Sequence, residues 1–239
     1  MSYATVAKLP IPAAEPTIEF AETYVLTDPA AARQAMLLTE FFQQAVAPAP
    51  ANPIHFDLGR AIELVAASFD MALARKVDQA VVSTGEPLHV AIDSVLRLVR
   101  SVIDVPLHHK DIDQLRTAVA GAFVGLAAQQ HDAWLAWGAT QAARTVWHYN
   151  LNVVVQSEET GDFVYAMPIG LSIEARLPKA AVLAMQAEDV VDVSIRIESI
   201  KAIQFLRDNE RERTAAPRSQ TVRTARTRSG AGFVQGVSA

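Results

Sequence analysis

Three stretches in the second half of the chain alternate apolar and polar residues. Successive side chains of a β-strand point to opposite faces, so this period of two predicts three long strands with one apolar face and one polar face. In water, another layer must cover the apolar face. The apolar positions are, strand by strand, Trp147, Tyr149, Leu151, Val153 and Val155; Phe163, Tyr165, Met167, Ile169, Leu171 and Ile173; and Val191, Val193, Ile195 and Ile197.

The opposite face of this predicted sheet is polar. It carries Asn150, Asn152, Ser194 and Arg196, and we predict that these side chains meet water. A shorter strand with small side chains is predicted over 181–188, before the last long strand. The sheet therefore has one face that needs a cover and one that does not.

The first half of the chain is dominated by helical periodicity. A strand is predicted over 17–26, followed by a helix that starts at Asp28 and ends at the proline cluster 48–53. Asp57 is a suitable N-cap for a second helix. The segment 71–82 fits either a helix or a strand, and both interpretations stay open.

Two further amphipathic helices are the obvious cover for the apolar face of the sheet. They are predicted over 86–103 and 111–130, with apolar residues at spacings of three and four. The short break between them, 104–110, is typical of a helix hairpin. Trp134 and Trp137 are expected in one more helical turn. Helices packed on an alternating sheet predict a single-domain layered α/β fold.

Composition divides the chain into a core and two ends. We expect a flexible N-terminal extension over 1–16, a folded domain over 17–206 and a disordered, Arg-rich tail over 207–239. The tail has seven Arg and three acidic residues, hence a net charge of +4, whereas the whole chain carries -5. It is interpreted as a solvated end, a protease-removable extension or a weak tether to anionic lipid.

Several functional classes are disfavoured by composition and motifs. The chain has no cysteine, which excludes thiolate nucleophiles and zinc–thiolate sites, and its net charge gives no reason to expect nucleic acid. Its start lacks the apolar segment of a Sec signal. The longest apolar run, 118–128, is shorter than the ~20 residues of a spanning helix.

Catalytic and metal-binding motifs were sought in the same way. Neither a nucleophile elbow nor a phosphate-binding glycine loop is present. Potential metal ligands are concentrated only at 108–113, which is expected to be a polar loop whose Asp111 caps the next helix. We therefore predict no enzymatic activity, no cofactor and no metal.

Longer segments of the sequence resemble the Cyt δ-endotoxins, which are cytolytic toxins named for insecticidal Bacillus crystals. The resemblance extends in order over 18–206. Its most specific motifs are AWxxWG (133–138) and PxG (168–170), the second inside a predicted strand, where proline is uncommon. The similar segments are ARQAMLLTEFFQQAVAP (32–48), IDQLRTAVAGAFVGLAAQQHDAWLAWG (112–138) and YNLNVVVQSEETGDFVYAMPIGLSIEA (149–175).

This resemblance implies a mostly antiparallel sheet wrapped by two helix hairpins, with 71–82 extended. It implies a soluble protoxin made in the bacterial cytoplasm without a Sec signal, then released, and trimmed at both ends by proteases. The trimmed protein would bind membrane phospholipids, form a homo-oligomer and permeabilise the target-cell membrane without catalysis. The protoxin is expected to form a homodimer through the strand 17–26.

The resemblance also implies which residues act at the membrane. The apolar strand positions named above, apart from Val191, are the membrane-insertion candidates. Lys179 and Lys201 match charged positions near strand ends in the family, whereas Glu174 and Ala180 depart from its pattern. A non-lytic lipid- or partner-binding protein on the same fold stays an alternative, because a fold does not determine function.

Overall fold

The architecture is a mixed β-sheet held between two helical layers. A computed structural model describes residues 20–26, 31–47, 55–141, 143–156 and 163–205. The strands are β1 (Ala21–Val25), β2 (Val46–Ala47), β3 (His55–Phe56), β4 (Met71–Ser83), β5 (Leu135–Gln141), β6 (Arg144–Val155), β7 (Phe163–Ala175) and β8 (Val193–Phe205). The helices are α1 (Ala31–Gln43), α2 (Leu58–Ala67), α3 (Leu88–Ile103), α4 (His109–Ala120), α5 (Leu126–Gln129) and α6 (Lys179–Leu183).

The main sheet has the strand order β1-β6-β7-β8-β4, and β5 pairs with β6 as well. Only β1 runs parallel to its neighbour; the other pairs are antiparallel. Strands β2 and β3 form a separate two-stranded sheet. The predicted α/β fold, with a mostly antiparallel sheet and two helix hairpins, is confirmed.

One face of the sheet packs against α3, α4 and α5, as the alternation predicts. This face is formed by the odd-numbered residues of β6 and β7 and by Val193, Ile195 and Ile197 of β8. The segment left open over 71–82 is strand β4, in agreement with the resemblance. Of the first strand predicted over 17–26, the structure describes residues 20–26, and β1 occupies Ala21–Val25 of them. Residues 17–19 lie outside the described residues.

The prediction that the opposite face meets water is wrong for half of the sheet. Helices α1 and α2 cover it over β6, β7 and the end of β8, where they pack on apolar residues such as Val154, Val164 and Ile200. Asn150 and Asn152 are therefore buried, 1% and 0% exposed. Beyond the edge of this second layer the prediction is correct, because Ser194 and Arg196 are exposed.

The shorter strand predicted over 181–188 is also wrong. The chain there forms α6 and a following turn. Alanine and leucine favour helix, and Pro178 precedes the first helical residue in an extended conformation. In the described sheet β8 is paired on both sides, with β7 and with β4, so 181–188 cannot pair with the strand that follows it.

Two boundaries between helix and strand differ from the prediction. The helix predicted over 111–130 ends at Ala120, and Phe123 and Leu126 reach the same core from a turn and from α5. The expected helical turn around Trp137 is strand β5, where Trp137 lies opposite Trp147 of β6. Asp111 lies in the first turn of α4 rather than at its N-cap, which is His108. Asp57 caps α2 as predicted, accepting a 2.9 Å hydrogen bond from the Arg60 amide.

Strand β7 contains a proline and a glycine at the centre of the sheet. Pairing with β8 is interrupted beside Pro168, whose carbonyl accepts a 2.8 Å hydrogen bond from Ser199 Oγ. Gly170 lies under Phe56 of β3, and a Cβ at Gly170 would lie only 2.7 Å from Phe56 Cβ. The glycine therefore allows the second helical layer to approach the sheet closely.

We predict that Gly170→Ala destabilises the fold by about 1–3 kcal/mol, because the added methyl group overpacks this contact. Alanine is otherwise better than glycine in a strand, so the sign of the effect comes from Phe56 alone. The midpoint of urea unfolding measures it. An unchanged midpoint would show that Phe56 does not press on the strand.

Candidate functional site

The membrane-insertion candidates form one continuous surface, here called the covered face. It is the side of β6, β7 and β8 that packs under α3, α4 and α5. Of the fourteen candidates in these three strands, only Phe163 and Tyr165 are more than 3% exposed. The structure therefore brings the candidates together, and in this state the helices shield nearly all of them from solvent.

Helix α3 is the main cover. Its buried residues recur at spacings of three and four, which places them on one stripe facing the sheet. Helix α4 contributes Leu115 and Val119 and is joined to α3 by a 2.7 Å ion pair between Arg116 and Asp93. The buried residues of α3 are Leu88, Ala91, Ile92, Val95, Leu96, Val99, Val102 and Ile103.

Polar atoms of the covered aromatic residues are paired with the segment after α4. Trp147 Nε1 donates to the Ala122 carbonyl at 2.9 Å, and the Tyr149 hydroxyl donates to Gln129 Oε1 at 3.1 Å. Burial raises the pKa of Tyr149, so this hydroxyl stays protonated and able to donate. Gln129 also donates to the Gly121 carbonyl at 3.0 Å. The role of Gln129 cannot be predicted from local sequence, because its partners lie in other elements.

The C-terminal end of α3 is held by two cations from the sheet. Lys201 Nζ donates to the Ile103 carbonyl at 2.5 Å, and Arg75 Nη1 donates to the Ser101 carbonyl at 2.7 Å. Arg75 and Lys201 are directly paired across β4 and β8. The last carbonyls of a helix lack intrahelical partners and attract cations, so this contact, here called the α3 clasp, fixes the helix end.

Partial burial lowers the pKa of Lys201; the nearby Asp104 carboxylate opposes this change, and Arg75 adds to it. Lys201 Nζ also lies 4.3 Å from the centre of the Tyr165 ring. The side chain thus connects β8, β7 and α3. Arg75 was not singled out from the sequence, because the fold of its segment was left open.

Neither charged candidate lies at the end of a strand, and that prediction is corrected. Lys201 is inside β8, four residues before its end. Lys179 is the first residue of α6, with Nζ 4.2 Å from the centre of the Trp137 ring. Glu174, one of the departures from the family pattern, forms an ion pair with Arg144.

The N-terminal end of α3 is held by backbone hydrogen bonds. The Leu88 and His89 amides donate to the carbonyls of Asp189 and Ala187, both at 2.8 Å. Just before the helix, Gly85 has a φ of 67°, a left-handed conformation that glycine adopts without strain. Hydrogen bonds therefore hold both ends of α3, and a turn at Gly85 precedes its N-terminal end.

The face under α1 and α2 is less apolar than the covered face. Asn152 Nδ2 donates to Thr39 Oγ1 of α1 at 2.7 Å. Within the described ranges, the side-chain amide of Asn150 has no hydrogen-bond partner although it is buried. A buried amide without partners costs free energy. Helices α1 and α2 therefore cover a part of the sheet, at Asn150 and Asn152, where the side-chain amides would be better hydrogen-bonded in water.

His148 joins the same layer to the sheet. Its Nδ1 lies 2.8 Å from Ser172 Oγ on β7, and its ring centre is 5.9 Å from that of His55 on β3. Burial, together with the neighbouring His55, lowers the pKa of His148. The neutral imidazole is therefore favoured in the folded protein.

Within the described residues, no group of three or more His, Cys, Asp or Glu residues could hold a metal ion. No described helix is both long enough and apolar enough to cross a membrane.

Comparison with solved structures places this arrangement in one class of fold. The activated Cyt2Ba monomer from Bacillus thuringiensis subsp. israelensis has a TM-score of 0.74 at 23% identity, covering 79% of this chain and 99% of that chain. A second delta-endotoxin structure has a TM-score of 0.75 at 20% identity, covering 86% and 92%. The protein therefore has the fold of these delta-endotoxins.

Comparison of the sequence identifies the family. Residues 2–217 match the family described as Bacillus thuringiensis toxin, and the chain belongs to it. The type-1Aa cytolytic delta-endotoxin of Bacillus thuringiensis subsp. morrisoni is 32% identical over 177 residues, covering 72% of this chain and 71% of the relative. The type-1Ba protein of subsp. neoleoensis is 27% identical over 197 residues, covering 81% and 74%. The resemblance to the Cyt δ-endotoxins is confirmed.

We predict that acid weakens the fold through His148. Because its folded-state pKa lies below the ordinary value of 6.5, the unfolded chain takes up the proton first. This contribution to stability is complete above that value and is lost as the pH falls towards the folded-state pKa. The measurement is urea unfolding at several pH values between about 7.5 and 5, the range in which histidines titrate. His148→Gln should flatten the decline, and an equally steep decline in the variant would contradict the assignment.

Proposed function

We propose that the protein is a cytolytic toxin that binds phospholipid directly and permeabilises a target-cell membrane. The observation that carries this proposal is the covered face: three adjacent strands present an apolar surface that, within the described residues, α3, α4 and α5 keep from water with a smaller contribution from α6. Its relatives include cytolytic delta-endotoxins. In the proposed mechanism, lipid acyl chains replace the helices on this surface.

The dimensions of the strands suit a bilayer. β6 has 12 residues, and β7 and β8 have 13 each. At ~3.3 Å per residue these strands extend ~40 Å, beyond a hydrocarbon core of ~30 Å. On β8 the covered face runs from Val193 to Lys201, close to the ~9–11 residues that a tilted spanning strand needs. A lysine at that boundary suits the membrane interface, where a long side chain reaches the headgroups.

The two faces of the sheet suit two environments. The covered face is apolar from Trp147 to Val155 on β6. The other face carries Asn150 and Asn152, which would meet water once α1 and α2 are displaced, and Arg196, which is already exposed. Both helical layers must therefore leave the sheet. The incomplete hydrogen bonding of Asn150 and Asn152 under α1 and α2 lowers the free-energy cost of removing that layer.

Oligomerisation follows from hydrogen bonding. Among the described strands, the edges of the sheet are β4 on one side and β1 and β5 on the other. In lipid, unpaired backbone groups cost several kcal/mol each, so only a closed arrangement of strands is stable there. Several copies must therefore pair edge to edge on the membrane. A homodimer of the protoxin through 17–26 belongs to the same proposal, since the described part of that segment is the edge strand β1.

Proteolytic trimming is the proposed activation step. The segments 1–16 and 207–239 would be the removable extensions around the folded domain 17–206. The seven Arg of the C-terminal segment offer many sites for trypsin-like proteases. After release from the bacterial cell, the trimmed protein would act at the target-cell membrane.

Dye release from phosphatidylcholine vesicles tests the function. We expect trypsin-trimmed protein to release trapped dye and full-length protein to release much less. Binding to vesicles without leakage from either form would contradict the toxin and assign the non-lytic alternative. The absence of any vesicle binding would contradict both.

A cross-link tests the displacement of α3. Because the chain has no cysteine, Arg75→Cys and Ser101→Cys can be joined specifically by a cleavable bismaleimide across the α3 clasp. The joined protein should bind vesicles without releasing dye, and cleaving the linker should restore release. The matched control is the same variant capped with N-ethylmaleimide. Full leakage from the joined form would contradict this mechanism, because it would show that permeabilisation does not require α3 to leave the sheet.

A further inference from the structure

Three phenylalanines lie at one end of the sheet, here called the aromatic end. Phe163 is the first residue of β7 and Phe205 the last described residue of β8, with ring centres 4.3 Å apart. Phe69 lies in the turn between α2 and β4. Met71 of β4 pairs with Gln204 of β8, so this turn is beside the end of β8.

Two of the three rings, Phe69 and Phe205, are exposed to an unusual degree. Phe69 is 106% exposed and Phe205 is 60% exposed. A phenylalanine ring carries a large apolar surface, and leaving it in water forfeits the free energy of burial. Phe69 therefore contributes nothing to the core of the fold, and a partner outside the chain is the natural place for its burial.

The charged groups around the aromatic end suit a phospholipid surface. Lys201 and Arg75 lie on the same side of the sheet as Phe205, in the α3 clasp. Asp70 accepts hydrogen bonds from Ser68 at 2.7 Å and from Gln204 at 3.0 Å, which ties its carboxylate to the protein. Among the described residues, the exposed Asp104 is the acid whose charge acts on Lys201. Aromatic rings next to long cationic side chains are the composition of membrane interfaces.

The opposite end of the sheet has a different character. Val82 and Val190 are exposed there, by 70% and 66%, but neither carries a ring. The described residues at this end include four acids and the cation Arg176, which lies 3.9 Å from Asp192. Carboxylates are repelled by anionic headgroups and are costly to bring into a low-dielectric interface. The four acids are Glu86, Glu188, Asp189 and Asp192.

We propose that the aromatic end is the part of the protein that first docks on the membrane, with Phe69 and Phe205 entering the interface of a phospholipid bilayer. The proposal deepens the proposed function and rests on it. Docking in this way directs the long strands towards the bilayer rather than along it. It also brings the α3 clasp to the headgroups, where the covered face is released.

Vesicle sedimentation with phosphatidylcholine vesicles tests this orientation on the trimmed, full-domain protein. Phe69→Ser combined with Phe205→Ser should weaken partitioning by about ten-fold or more, since two exposed rings lose their apolar transfer. The matched control is Val82→Ser combined with Val190→Ser, at the other end and of similar exposure. The control should partition within about two-fold of the parent protein. Thermal unfolding should give similar midpoints for both pairs, because all four side chains are exposed.

The outcomes separate this inference from the function on which it rests. Equal partitioning of the two pairs, or weakening of the control pair alone, overturns the docking orientation while the toxin proposal stands. Failure of the parent protein to sediment with vesicles overturns the proposed function, and the inference with it. Selective loss in the phenylalanine pair, with an unchanged fold, supports the orientation.

Discussion

The fold depends on one constraint: a sheet with a continuous apolar face cannot stay uncovered in water. Three adjacent strands supply that face, and Trp147, Leu151 and Ile169 on it are at most 1% exposed. Helix α3 covers it together with α4 and α5. The ends of α3 are attached by polar contacts as well as by this hydrophobic burial. Its start is held by backbone hydrogen bonds and its end by Lys201 and Arg75. These attachments are few and polar, whereas the hydrophobic surface beneath them is extensive.

A second layer, α1 and α2, buries part of the opposite face of the sheet, but the surface under it includes polar side chains. It rests on a strip that includes Asn150 and Asn152, whose hydrogen bonds are only partly made within the described residues. Water would satisfy these amides better than the interior does. One face of the sheet thus favours an apolar environment and the other a polar one, which is the division a membrane and its aqueous side provide. In the folded state the two helical layers bury both of these surfaces.

Local periodicity was sufficient to predict the long strands, the apolar face and the helices that cover it, because each signal lies within one segment. The burial of Asn150 could not be predicted, since polar residues on alternating positions normally meet water and the covering layer comes from a distant part of the chain. The strand prediction for 181–188 is wrong because its small side chains fit either state, whereas both sides of the following strand, β8, are occupied by β7 and β4. The role of Lys201 was only partly foreseen. Its position was found by resemblance, but its bond to the end of α3 depends on tertiary contact alone.

The central claim is that the covered face leaves its helices and meets acyl chains. Trp147 is the natural reporter, because it is fully buried, lies on that face and is one of three tryptophans in the chain. With Trp134→Phe and Trp137→Phe, its fluorescence can be followed alone in vesicles whose lipids carry bromine on the acyl chains. The expected result is quenching of Trp147 that develops in step with dye release. Complete dye release with Trp147 unquenched would contradict the claim.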